Sequence, residues 1–136
     1  MLYSELDYKT LKNTIYMEAR GECLEGQIAV AHVILNRVKA NKPYFGGKNI
    51  TDVCRKQYQF ECWNDIPHNQ TDIDIREPEA YNKIEGFLRR VLDGTISDNT
   101  HGCDHYNNPR KESASWVNNV DYIMAIGEHR FYRSRQ

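Results

Sequence analysis

Two glutamates, Glu18 and Glu22, bracket Arg20-Gly21 in the run "IYMEARGECLEGQIAVAHVILNRV", where a half-polar segment gives way to a nearly unbroken apolar one. A carboxyl at such a junction either solvates a helix end or transfers a proton. Glu18 falls in the last turn of a helix that the spacing predicts to stop near Gly21. A carboxylate there opposes the negative end of the helix dipole. Packing against the apolar segment that follows would also desolvate it. Both effects favour the protonated carboxyl, the form a general acid needs at neutral pH; the alternative is a solvated surface carboxylate. Glu22 and Glu25 fall at the start of the next helix, where negative charge is favourable, and read first as capping groups.

Other residues could hold a ligand. Gln57 and Gln59 carry amides that both donate and accept, which suits sugar hydroxyls and N-acetyl groups, and Phe60 adds an apolar face. Ordinary edge-strand polarity is the competing explanation. His101, His105 and His129, with Cys103 and Asp104, are metal-ligating types, but their spacing matches no H-E-x-x-H or zinc-finger pattern, and they read as structural or groove-lining groups. Tyr106, next to Asn107-Asn108, looks like part of a binding loop. The remaining aromatics of the second half, including Trp116, Tyr122, Phe131 and Tyr132, read mainly as core. The absence of glycine-rich dinucleotide, P-loop and nucleophile-elbow patterns excludes nucleotide-binding and serine-hydrolase chemistry.

The elements that must position these residues follow from periodicity. Tyr3 to Arg20 is expected to be an amphipathic helix with Ser4 as N-cap. A second helix, about Leu24 to Ala40, has almost no polar face and should be the most buried element. Residues 41–47, with Pro43 and Gly46-Gly47, form a loop. A short helix through Val53 to Arg55 is capped by Asn49 or Thr51. "QYQFECW" alternates aromatic and polar residues and is expected to be a strand. Cys54 and Cys62 would then approach each other across a hairpin. Residues 64–76 form a polar loop, and Pro78 opens a third long helix that stops at Gly94. His105-Tyr106 and Phe131-Tyr132 should be short extended pieces, and Trp116 to Ile126 partly helical. The sum is an α+β fold, mainly helical, with a short irregular β region.

The totals fit one domain spanning residues 1–136. Composition is 40% hydrophobic and 27% charged, with a formal net charge of -1. Such a chain has no overall basic field to attract nucleic acid or an anionic membrane. The longest apolar run, Ile28 to Leu35, is too short to span a bilayer. "LYSELDYKTLKN" shows no secretory pattern, so synthesis and folding are expected in a cytoplasm. The four cysteines, without a C-x-x-C pair, are expected to be reduced and largely buried.

"EARGE", "GQIAVAHVILNRV", "QYQF", "GCDHYNN", Trp116 and "IGEHRFY" occur together and in this order. The ordered set resembles the SleB/CwlJ-type cell-wall hydrolase family, known from spore cortex-lytic enzymes and phage endolysins. The resemblance covers about Leu11 to Arg133. It implies a small lysozyme-like domain related to lytic transglycosylases, acting on the β-1,4 bond between N-acetylmuramic acid and N-acetylglucosamine of peptidoglycan. By that resemblance the catalytic carboxylate is Glu18, with Glu22 as the second candidate. Gln57, Gln59, Phe60, His105 and Tyr106 would bind the glycan, and His129, Phe131 and Tyr132 would close the domain behind the groove. "GCDHY" departs from the family's more usual G-A-x-x-Y at Cys103 and Asp104. The expected enzyme is a monomer needing no metal or organic cofactor, whose partner is the glycan strand. It is expected to be an endolysin made in the host cytoplasm, acting on the wall, with a separate holin for export.

Three outcomes stay open at this stage: a transglycosylase, a lysozyme using Glu22, Glu61 or Asp104 as second carboxylate, or a non-catalytic peptidoglycan-binding module. A metal-dependent amidase built on the histidines is a fourth.

Overall fold

A computed structural model of the chain describes residues 1–135. Four α-helices come first: α1 (Glu5–Ala19), α2 (Leu24–Ala40), α3 (Ile50–Arg55) and α4 (Pro78–Leu92). A small sheet follows, of β1 (His105–Asn107), β2 (Val120–Ile126) and β3 (His129–Ser134). Short 3-10 turns lie at Pro43–Phe45, Glu61–Trp63 and Ser115–Asn119. The expected α+β class holds, with the helices grouped ahead of an antiparallel sheet ordered β1-β3-β2.

Local chemistry sets the helix ends. Ser4 and Asp7 form a reciprocal capping box at the start of α1, with both hydrogen bonds at 3.0 Å. At its other end, buried Gln27 reaches back from α2 and donates to the Ala19 carbonyl at 3.1 Å. That bond satisfies an orphan carbonyl and fixes the α1–α2 corner on which Glu18 sits. Helix α2 runs from Leu24 to Ala40 as its hydropathy implies and is the hub of both cores. Val30, Ile34 and Val38 join the helical core with Leu11, Ile15 and Leu88, whereas Ala29 and Val33 pack on Cys103 and Phe131 of the sheet side. Among the described residues, no helix is long and apolar enough to cross a membrane.

Three expectations are corrected. "QYQFECW" is not a strand. Tyr58 adopts a left-handed φ of 66°, Gln59 N closes a turn onto the Lys56 carbonyl, and Trp63 N bonds back to Phe60 O at 3.1 Å. Phe60 and Trp63 are therefore buried three residues apart, and Trp63 Nε1 donates to Thr14 Oγ1 at 2.9 Å. The hairpin between Cys54 and Cys62 is absent, and all four cysteines are free. Burial pushes the Cys54 thiol up to about 12 and the Cys103 thiol up to about 11, so both behave as small apolar groups. Cys23, against expectation, is exposed. Finally, the segment from Trp116 to Ile126 is mostly strand: after one 3-10 turn, β2 pairs along β3 with a bulge between Tyr122 and Met124. Cross-strand pairing overrides the local helical spacing.

Two buried imidazoles give the fold a pH signature. His32 in α2 bonds through Nε2 to the Ile96 carbonyl at 3.1 Å, so that nitrogen carries the hydrogen, and buried Nδ1 has no partner. Burial holds His32 below its ordinary 6.5, with nearby Asp98 opposing only in part. His129 is lowered by the same cause. A group whose folded pKa is depressed contributes stability that is fully present above the unfolded value and lost as pH falls through the folded one. Each unit of depression corresponds to about 1.4 kcal/mol. The thermal midpoint should therefore hold near pH 7 and fall as pH drops below about 6.5. A His32→Gln variant should show a shallower fall in the same series of melts; an unchanged slope would remove His32 from this account.

Candidate active site

Glu18 projects from the last turn of α1 and is half-buried. Its Oε1 accepts a hydrogen bond from the Tyr106 hydroxyl at 2.7 Å. Tyr106 is held by β1, where it faces Phe131 of β3 across the ladder. Burial, and then the charge and hydrogen bond of Glu18, push the Tyr106 phenol well above its ordinary range. It therefore stays protonated and serves as a fixed donor to one carboxyl oxygen. His129 lies beside this pair, its ring 4.9 Å from that of Tyr106. Kept neutral by burial, it presents an uncharged ring to the site at pH 7.

A groove of about 640 Å³ opens over Glu18 and Tyr106, and Gln59, Phe60 and His105 line it as well. Thus five of the residues marked in the sequence converge on one surface. His105 is oriented by Asp104, whose carboxylate accepts from its Nδ1 at 2.8 Å and from Ser134 N at 2.9 Å. Burial pushes the Asp104 carboxyl up, but these hydrogen bonds outweigh it and hold the group below its usual range. Asp104 does not itself line the groove, and Cys103 packs beneath it on Ala29, Val33 and Phe131.

Two marked residues lie elsewhere. Gln57 is not in the groove; it borders a neighbouring depression of about 430 Å³ with Arg55 and Trp63, because the left-handed turn at Tyr58 separates it from Gln59. Glu22 does not cap α2, whose N-cap Cys23 makes no side-chain bond. Its carboxylate turns to the β2–β3 corner, 3.4 Å from Glu128 N and 3.9 Å from His129 Nδ1. It also borders a larger concavity of about 1130 Å³ beside α4 that does not include Glu18.

The structure also brings to the groove residues that were given another place in the sequence or none. His129 lines the groove instead of standing behind it, and Trp116 stacks near His105 at 5.1 Å. Arg37, near the end of α2, is buried yet faces the same groove. A signal for Arg37 was present: it follows Val33 and Ile34 at helical spacing, so an arginine stands in an apolar stripe. Among the described residues, no three His, Cys, Asp or Glu side chains converge to hold a metal ion.

A carboxyl at the end of the first helix, facing a polar groove floored by a small antiparallel sheet, defines a lysozyme-like domain. The sequence pattern of the cell wall hydrolase family matches residues 21–132, and the chain belongs to that family. It is 32% identical over 131 residues to a spore cortex-lytic enzyme of Halalkalibacterium halodurans, covering 95% of this chain and 35% of that protein. It is 30% identical over 130 residues to a spore cortex-lytic enzyme of Bacillus cereus, covering 95% and 45%. The chain thus spans less than half the length of these curated relatives. Its fold is similar to the catalytic domain of the germination-specific lytic transglycosylase SleB from Bacillus anthracis, with a TM-score of 0.74 and 30% identity over 96% of this chain and 97% of that one. The catalytic domain of the Bacillus cereus SleB protein matches with a TM-score of 0.71 and 31% identity, covering 97% and 93%.

Proposed function

We propose that this domain cleaves the β-1,4 bond between N-acetylmuramic acid and N-acetylglucosamine in peptidoglycan, as a lytic transglycosylase. The observation that carries the reading is the Glu18 carboxyl held by the Tyr106 hydroxyl at 2.7 Å on the wall of a polar, aromatic-lined groove. In this mechanism protonated Glu18 gives its proton to the glycosidic oxygen, and the bond to muramic C1 breaks with oxocarbenium character. The Glu18 carboxylate then takes the proton of the muramic 6-hydroxyl, whose oxygen closes on C1. The product is a 1,6-anhydro sugar, and the enzyme ends protonated as it began. Membership of the family and the likeness to a SleB catalytic domain support the same reaction.

Glu61 and Glu112 also line the groove, which supports a second reading, a hydrolytic muramidase in which one of them positions water. Mass spectrometry of soluble products from purified peptidoglycan separates the two. Anhydro-muramic ends are expected; reducing ends, one water heavier, would establish hydrolysis, and strands bound but uncut would leave only a binding module. The setting we propose is lysis of a bacterial host from within, an endolysin role supported by the family resemblance. Expression in a bacterial cytoplasm together with a pore-forming protein should then lyse the cells.

A further inference from the structure

The amide of Gln59 is held one way round. Its Oε1 accepts a hydrogen bond from Arg37 Nη1 at 3.2 Å. A guanidinium can only donate, so the amide atom facing Arg37 must be oxygen. The amide nitrogen is turned to the other side, where it has no partner among the described residues, on an exposed side chain that lines the groove. Arg37 is itself held from several sides. It is 6% exposed, its Nε donates to the Asp104 carbonyl at 2.7 Å, and its guanidinium carbon lies 5.1 and 5.2 Å from the ring centroids of Phe45 and Phe60.

We propose that Arg37 is a positioning residue that makes Gln59 a one-way hydrogen-bond donor, selecting the acetamido carbonyl of an N-acetylated sugar. The inference rests on the glycan-cleaving reading above. A sugar hydroxyl both donates and accepts, and would be served by an amide in either orientation. Fixing the orientation discriminates only for a group that cannot donate, and the acetamido carbonyl of an amino sugar is such a group. A de-N-acetylated sugar would instead present an ammonium to an amide N–H beside the Arg37 cation. There the donor is left unpaired and like charges oppose. A carboxylate on a peptide stem is also acceptor-only, and the test separates it.

The experiment measures initial rates on N-acetylated, chemically N-deacetylated and peptide-stripped glycan strands with wild type, Gln59→Glu and Arg37→Lys. Gln59→Glu alters an exposed side chain, keeps its size and still accepts from Arg37, but replaces the outward donor by an anionic acceptor. Wild type should prefer acetylated strands by about tenfold or more, expressed in KM. Gln59→Glu should lose most of that preference, and Arg37→Lys, lacking the forked donor, should fall between. A merely structural role would lower rates on all strands and leave the ratio alone. An unchanged preference in Gln59→Glu would overturn the proposal. So would a Gln59 effect that vanishes on stripped strands, which would assign the donor to a stem carboxylate. Wild type that cuts none of the strands would instead overturn the glycan-cleaving reading.

Discussion

Glu18→Gln should lose at least about a thousandfold in kcat on peptidoglycan while still binding it, the upper part of the range for removal of a general acid. The substitution isolates proton transfer. Glutamine keeps the side-chain length and an oxygen that can accept from the Tyr106 hydroxyl, now 2.7 Å from Glu18 Oε1. What it cannot do is carry the proton to the glycosidic oxygen and later accept one from the attacking hydroxyl. Both half-steps need the same group, so neither has a substitute at that position. Glu22→Gln supplies the contrast. Its carboxylate serves the β2–β3 corner and lies outside the groove, so its loss should change kcat by less than about tenfold and act mainly on stability through one weak bond. Turnover on purified sacculi and co-sedimentation with them would be measured for both variants. A fully active Glu18→Gln, or an inactive but folded Glu22→Gln, would move the acid to Glu22 and require a strand pose on the other side of the α1–α2 corner.

The parts legible in the sequence are those with local causes. The Ser4 capping box, the apolar stretch of α2 and the Pro78 start of α4 each depend on residues a few positions apart, and the structure places them as the spacing implies. Glu18 was legible because the helix end and the apolar neighbour lie beside it in the chain. The alternation in "QYQFECW" implies a period of two, whereas its buried residues, Phe60 and Trp63, follow a period of three imposed by contacts with α1 and α2. Such contacts are non-local. The orientation of Gln59 depends on Arg37, 22 residues away, and Arg37 is anchored by a carbonyl 67 residues beyond itself. No window of the sequence contains that relation. It appears only when β1 docks against α2.

Of two adjacent glycines in the turn behind the groove, Gly46 should be the one that tolerates alanine less. Both Gly46 and Gly47 have positive φ, 113° and 117°, and both would strain an alanine. Only Gly46 is also crowded: a Cβ there would stand 2.5 Å from the Asp52 carbonyl oxygen and 3.0 Å from Val53 Cα, both backbone atoms of α3 that cannot swing aside. Gly47 has nothing within 4 Å. Backbone strain of about 1–3 kcal/mol at each site leaves the overpacking, about 1–3 kcal/mol more, as the difference between them. Gly46→Ala should thus lower the melting temperature by roughly 10 °C, and Gly47→Ala by about half of that. The consequence reaches the site because Gly46 closes the turn that carries buried Phe45, whose ring lies 5.1 Å from the Arg37 guanidinium carbon and 5.7 Å from the His105 ring. Displacing α3 from that turn should loosen Arg37 and His105 together and weaken glycan binding in the fraction that remains folded. Equal melting temperatures for the two variants would show that the turn can move away from α3, and that Phe45 is not fixed by this contact.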